Sequence, residues 1–211
     1  MKSNFYQDLT KEELLGTYLD NYYPKIFHDT VFKVERVRDR HLQHRGVDLL
    51  LKSAVDGCYF VDEKAQLDYL NTALPTFAFE LSYLKKQDLR LGWLLDRTKL
   101  TTVYFLITNI CPLSGKDLNE GLAKIKITAI YRAKLLQLLA KKGLTQKRLL
   151  ALDKEVRNNS IAGKIPIAEL DAKKEGAFYF SKKNKKEQPI NLVLKLDFLI
   201  KEETGKVLFE L

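Results

Sequence analysis

Apolar side chains gather into two short runs, residues 47–52 and 58–65, separated by Asp56-Gly57, and this pattern predicts an antiparallel hairpin. The loop length decides which side chains share a face, because strand side chains alternate with period two. A two-residue loop at Asp56-Gly57 sets Asp48 opposite Ala65, away from the face carrying Asp62 and Lys64. A three-residue loop over 55–57 pairs residue 54 with 58, Asp48 with Lys64 and Leu50 with Asp62, so that all three polar side chains point one way. Gly57 then takes the left-handed third loop position that suits glycine. The three-residue loop is the expectation.

The same reading extends along the chain. Thr10 with Glu13 three residues later starts a helix carrying Leu14, Leu15, Tyr18 and Leu19 on one side, and Pro24 ends it. Residues 32–45 are basic and polar. If helical, they align Glu35, Asp39 and Gln43 on one face, and if extended they do not. Residues 67–71 form a short turn or helix. Residues 76–83 alternate as a strand, with Phe77, Phe79, Leu81 and Tyr83 toward a core and Glu80 on the other side. Residues 92–95 and 101–109 add further strands, with Trp93 packed inward or free to stack on a base. Residues 124–130 alternate like a strand yet allow a helix running on to 142. Gly143 closes that helix, Thr145 caps the next one, and 190–196 forms a strand. The implied class is α/β: a mixed β-sheet flanked by helices, with C-terminal helical and strand additions. Residues 1–112 form the core and 113–211 an extension packed on it, or the two make one domain.

Charge narrows the choice of partner. The 211 residues hold 36 Lys and Arg against 27 Asp and Glu, a net +9. That excess favours a polyanion, since cationic side chains that neutralise phosphates release counterions. Two basic clusters are candidates for nucleic-acid contact: Lys141, Lys142, Lys147 and Arg148 at a helix junction, and Lys182, Lys183, Lys185 and Lys186 in a loop. Cys58 and Cys111 are the only cysteines and read as reduced packing residues of a cytoplasmic protein. The first residues lack an apolar signal core, and no run nears the roughly 20 apolar residues of a membrane span.

The polar residues of the hairpin suit phosphodiester hydrolysis, which needs developing negative charge neutralised and a water made nucleophilic. Mg²⁺ held by two carboxylates, here Asp48 and Asp62, meets both needs, and Mn²⁺ can substitute. Lys64, two residues beyond the second acid and on the same strand face, is placed to orient water or stabilise charge. Competing chemistry is poorly supported. His41 and His44 lack a third ligand nearby in sequence, and there is no glycine-rich phosphate loop and no Gly-x-Ser-x-Gly elbow.

Asp48 with Asp62-Glu63-Lys64 resembles the motif of the PD-(D/E)xK nuclease superfamily, whose core is a helix, a strand carrying Asp and a strand carrying (Asp/Glu)-x-Lys. Residues 39–48, Asp62 to Ala65 and Gly92-Trp93 also look like an uncharacterised bacterial and phage branch of it, and the likeness covers about residues 1–110. The resemblance implies a restriction-endonuclease-like fold, with Asp48, Asp62 and Lys64 as catalytic residues. It also implies metal held by Asp48, Asp62 and the backbone carbonyl of Glu63. Glu63 departs from the usual apolar middle residue. Glu12, Glu13 and Glu35 are all open as the helical acid, and Glu13, Glu35, Asp39, Gln43 and Glu80 are second-tier residues. The expected function is metal-dependent cleavage of nucleic acid, as a DNA endonuclease able to act as a homodimer. The alternative is an inactive nuclease-like binding or interaction protein of a phage or mobile element.

Overall fold

The computed structural model describes the backbone of residues 5–182 and 186–211, and side chains from residue 11 onward within those ranges. The first half of the chain forms α1 (Phe5–Ile26), β1 (Lys33–Arg36), α2 (Arg40–His44), β2 (Leu49–Ser53), β3 (Gly57–Ala65), a 3₁₀ turn (Leu67–Tyr69), β4 (Thr76–Lys85), β5 (Asp88–Leu91) and β6 (Val103–Pro112). The second half forms β7 (Leu122–Tyr131), α3 (Arg132–Lys141), α4 (Gln146–Asn159), β8 (Gly163–Ile165), β9 (Gly176–Phe180), β10 (Ile190–Lys195), α5 (Leu196–Lys201) and β11 (Gly205–Glu210). The class is mixed α/β, with two sheets and, among the described residues, five helices. No described helix is long and apolar enough to cross a membrane.

Two units interleave in sequence. The first comprises the chain up to Leu74, Leu100–Ile130 and Lys206–Leu211; the second comprises Pro75–Lys99 and Tyr131–Gly205. A break near residue 112 is not what separates them, because β6 and β7 lie side by side in one sheet while β4 and β5 belong to the other.

The first unit is built on a six-stranded sheet ordered β1-β2-β3-β6-β7-β11. β1, β2 and β3 form an antiparallel meander, and β6 joins β3 in parallel with Asp62 beside Tyr104 and Lys64 beside Leu106. Leu15, Leu19 and Tyr23 of α1 and Phe27 just beyond its end recur every four residues and are all buried. Tyr23 and Phe27 lie against Phe105 of β6 at ring separations of 5.9 and 6.4 Å. Each such burial contributes about 1.5–3 kcal/mol. This packing explains two departures from expectation. The helix begins before Thr10, and Pro24 lies inside its last turn, where it is exposed and where the buried Tyr23 and Phe27 on either side hold the turn.

Residues 32–45 resolve into a strand followed by a helix. Asp39 caps α2 by accepting from the N–H groups of His41 (2.7 Å) and Leu42 (3.0 Å), so Glu35, Asp39 and Gln43 share no helical face. In the β2–β3 hairpin, Ser53 pairs with Gly57 across the loop 54–56. Ser53 Oγ accepts from the N–H groups of Val55 and Asp56, both at 3.1 Å, and Gly57 sits at φ +77°. This side-chain turn closes the loop one residue earlier than expected. In the resulting register Leu50 pairs with Phe60 rather than with Asp62, and the ladder starts at Leu49 opposite Val61, so the expected pair of Asp48 with Lys64 does not form. A two-residue displacement keeps the face.

The second unit has a five-stranded antiparallel sheet ordered β5-β4-β10-β9-β8. Phe77, Phe79 and Leu81 are buried as their alternation predicts. Residues 92–95 are a turn, not a strand: Gly92 N–H donates to the Leu81 carbonyl (2.8 Å), and a Cβ there would stand 2.3 Å from the Glu80 carbonyl oxygen. Trp93 packs on Phe79 at 5.4 Å. Thr145 caps α4 as expected, through Arg148 N–H. From α4, Asp153 accepts a hydrogen bond from Ser82 of β4, and Arg157 donates to the same hydroxyl.

Candidate active site

β3 divides its side chains between two chemistries. Asp62, only 2% exposed, and Lys64 point to one face of the sheet, and Glu63 points to the face on which α1 lies. Asp48 stands just before β2, where the ladder is irregular: its N–H donates to the Val61 carbonyl (2.8 Å), although Leu49 is the residue paired with Val61. Turned out of the ladder, Asp48 accepts the Glu63 N–H on its carboxylate at 2.8 Å. The N–H and C=O of a strand residue leave toward the same neighbouring strand, so the Glu63 carbonyl opens on the same edge, beside Asp48. Lys64 Nζ donates to Asp62 Oδ1 and lies 3.4 Å from the Glu63 carbonyl oxygen. Thr101 Oγ1 donates to the Gly46 carbonyl (2.8 Å) and lies 3.4 Å from Asp62 Oδ2. Two carboxylates, one carbonyl and one ammonium therefore meet where β2 opens into the loop before it.

Burial pushes the Asp48 carboxyl up to about 6, and the neighbouring Asp62 charge pushes the same way; the Glu63 N–H and the Lys64 ammonium oppose them. A site that holds two carboxylates this close favours a cation. The Lys64 ammonium already bridges two of the oxygen donors, as a cation would. Among the described residues no three His, Cys, Asp or Glu side chains gather to hold a metal. The available donor set is thus two carboxylates and the Glu63 carbonyl. It fits Mg²⁺, which keeps several waters and takes one or two carboxylates.

The reverse face of β3 is a closed polar network. Glu63 accepts from Tyr23 Oη and from Arg36 Nη1, while Arg36 Nε donates to Asp20 of α1 at 2.9 Å. Burial and the Glu63 charge hold the Tyr23 hydroxyl well above its ordinary range. Burial alone would lower the Arg36 guanidinium, but the Glu63 charge and hydrogen bond outweigh it and raise it. Asp20 is the residue that sequence reasoning misses. It joins the Glu63–Arg36 network from α1, and the available signal is its place one residue after buried Leu19 and three before buried Tyr23.

The other expected site residues fall elsewhere. Glu12 and Glu13 are exposed on α1. Glu35 pairs with Lys52 on the surface, and Asp39 is spent on its cap. Gln43 Nε2 donates to the Val37 carbonyl (3.0 Å), bracing the segment ahead of Asp48. Glu80 lies on β4 of the second unit beside Gly92. Of the basic residues, Lys142 is paired with Glu175 and Arg148 with Glu169, whereas Lys141, Lys147, Lys182 and Lys186 are exposed. Lys183 and Lys185 lie outside the described residues. No family model, curated protein or solved structure matches this chain.

Proposed function

We propose that the protein is a Mg²⁺-dependent nuclease of the PD-(D/E)xK type, cleaving phosphodiester bonds of nucleic acid, most simply as a DNA endonuclease. The observation that carries this reading is the meeting of the Asp48 and Asp62 carboxylates, the Glu63 carbonyl and the Lys64 ammonium at one strand edge. A helix, a strand led by Asp48 and a strand carrying Asp62-Glu63-Lys64 follow in the order that the resemblance implies.

Asp48, Asp62 and the Glu63 carbonyl would hold the cation. Mg²⁺ bound there supplies Lewis-acid neutralisation of phosphate charge and makes its water more acidic. Asp48 is kept in place by the Glu63 N–H, and Asp62 is oriented by Lys64 and Thr101. Lys64 presents ammonium donors on the same face, placed to hold the attacking water or a non-bridging phosphate oxygen.

The test is cleavage of supercoiled plasmid and circular single-stranded DNA, and of RNA, in Mg²⁺, Mn²⁺ or EDTA. Wild type is compared with Asp62→Ala and Lys64→Ala proteins of matched unfolding midpoint. Metal-dependent nicking that falls at least about 10²-fold in both variants is expected. Absence of cleavage by wild type, or cleavage unchanged in both variants, would overturn the reading.

A further inference from the structure

The net positive charge is confined to one unit. Of the 36 Lys and Arg and 27 Asp and Glu, the second unit holds 22 and 12 and the first 14 and 15, a balance of +10 against −1. Within the second unit, one end of the sheet gathers exposed cations. β4 ends there at Lys85, β9 ends there at Phe180 and β10 begins there at Ile190. The Leu84 N–H donates to the Glu187 carbonyl (2.7 Å), tying the β4–β5 turn to the segment that precedes β10. Arg157, near the end of α4, donates to the Gln188 carbonyl (3.1 Å) and fixes the same segment from the other side. Lys85, Lys86, Arg90, Lys182 and Lys186 are thereby brought together and exposed; of these Arg90 is paired with Asp88 (3.3 Å), and Glu187 is the other acid among them. In sequence these cations lie about a hundred residues apart. The junction of α3 and α4, the other basic cluster, has two of its four cations neutralised by Glu175 and Glu169.

We infer that this end of the second unit's sheet is a docking surface for the phosphate backbone of nucleic acid. The inference rests on the nuclease reading for its choice among polyanions. Lysines on a turn and an adjoining segment suit a regularly charged strand, because each can reach one phosphate without fixed geometry. No base-reading constellation accompanies them, so binding is insensitive to sequence and strongly dependent on salt.

The experiment is fluorescence anisotropy of labelled duplex DNA, single-stranded DNA and single-stranded RNA, in EDTA so that nothing is cut, over a salt series and with polyglutamate as control polymer. Lys85→Glu/Lys86→Glu/Lys182→Glu is compared with Lys141→Glu/Lys147→Glu/Lys201→Glu. The second set makes the same charge change on the α3–α4 junction and the end of α5, away from this sheet end. A Gln series at the same positions repeats the comparison should a Glu series fail to fold. At least tenfold weaker binding is expected from the first set, with a salt slope on duplex DNA reduced by about 0.9 for each phosphate no longer neutralised; the second set stays within about threefold. Equal losses from both sets, no loss from the first, or equal affinity for polyglutamate would overturn the inference. Because no cleavage is read, a protein that binds in this way but never cuts would remove the nuclease reading and leave the surface standing.

Discussion

Glu63 and Arg36 form an ion pair on the face of β3 opposite Asp62 and Lys64, so one strand residue serves both sides of the sheet. Its carboxylate is locked to Arg36 and Tyr23, while its N–H fixes Asp48. An apolar residue in the middle of the motif would pack against α1 in the ordinary way; a glutamate there has to be neutralised. Arg36 of β1 and Tyr23 of α1 do this, with Asp20 holding Arg36. Arg36→Met leaves a largely buried carboxylate without its countercharge, and a loss of about 2–4 kcal/mol in urea unfolding is expected. The double change Arg36→Met/Glu63→Leu should cost clearly less than Arg36→Met alone. A double-variant loss equal to or larger than the single would show that the pair is not what Arg36 supplies.

Asp48 gives the site a pH signature. Its carboxyl is raised to about 6 from an ordinary 3.8, so between those values the folded protein binds more protons than the unfolded chain. Stability therefore falls as pH rises from about 4 to about 6, with up to about 3 kcal/mol lost above that window. Asp48→Asn removes the charge. Measured in EDTA, the variant should be more stable than wild type at pH 7, with the gap closing toward pH 4. A wild type no less stable than Asp48→Asn at pH 7 would contradict a disfavoured carboxylate.

How much of this is legible in the sequence depends on how local each determinant is. The hairpin, the shared face of Asp62 and Lys64, the Thr145 cap and the alternation through Phe77, Phe79 and Leu81 all follow from period and turn chemistry within a few residues. The hairpin register escapes because Ser53 closes the loop with its own hydroxyl, a competition that periodicity does not weigh. Pro24 reads as a stop because the aromatic contacts that hold its turn come from Phe105, some eighty residues away. The Asp20–Arg36–Glu63 link and the interleaving of the two units rest on pairings distant in sequence, and no local pattern encodes them.

Gly92 is a position where only the absence of a side chain fits. Any Cβ would meet the backbone carbonyl of Glu80, which cannot turn aside without disturbing β4. Gly92→Ala should cost about 1–3 kcal/mol and quench or shift the fluorescence of Trp93, the single tryptophan, which rests on Phe79. A variant matching wild type in both unfolding midpoint and emission would show that the turn has more room than this geometry allows.

In the β4–β5 turn, left-handed backbone coincides with a lysine of the proposed docking surface. Lys86 and Gln87 both occupy left-handed conformations, at φ 51° and 73°, in a two-residue connection where Asn-Gly is the sterically favoured pair. Left-handed backbone costs an ordinary residue about 1–2 kcal/mol, part of which glycine returns as lost chain entropy. Lys86→Asn/Gln87→Gly should therefore raise stability by about 1 kcal/mol while weakening nucleic-acid binding in EDTA by a few-fold. If instead the substitution stabilised the protein and left affinity untouched across the salt series, Lys86 would be excluded from the docking surface. If it destabilised the protein, the left-handed geometry of the turn would be wrong.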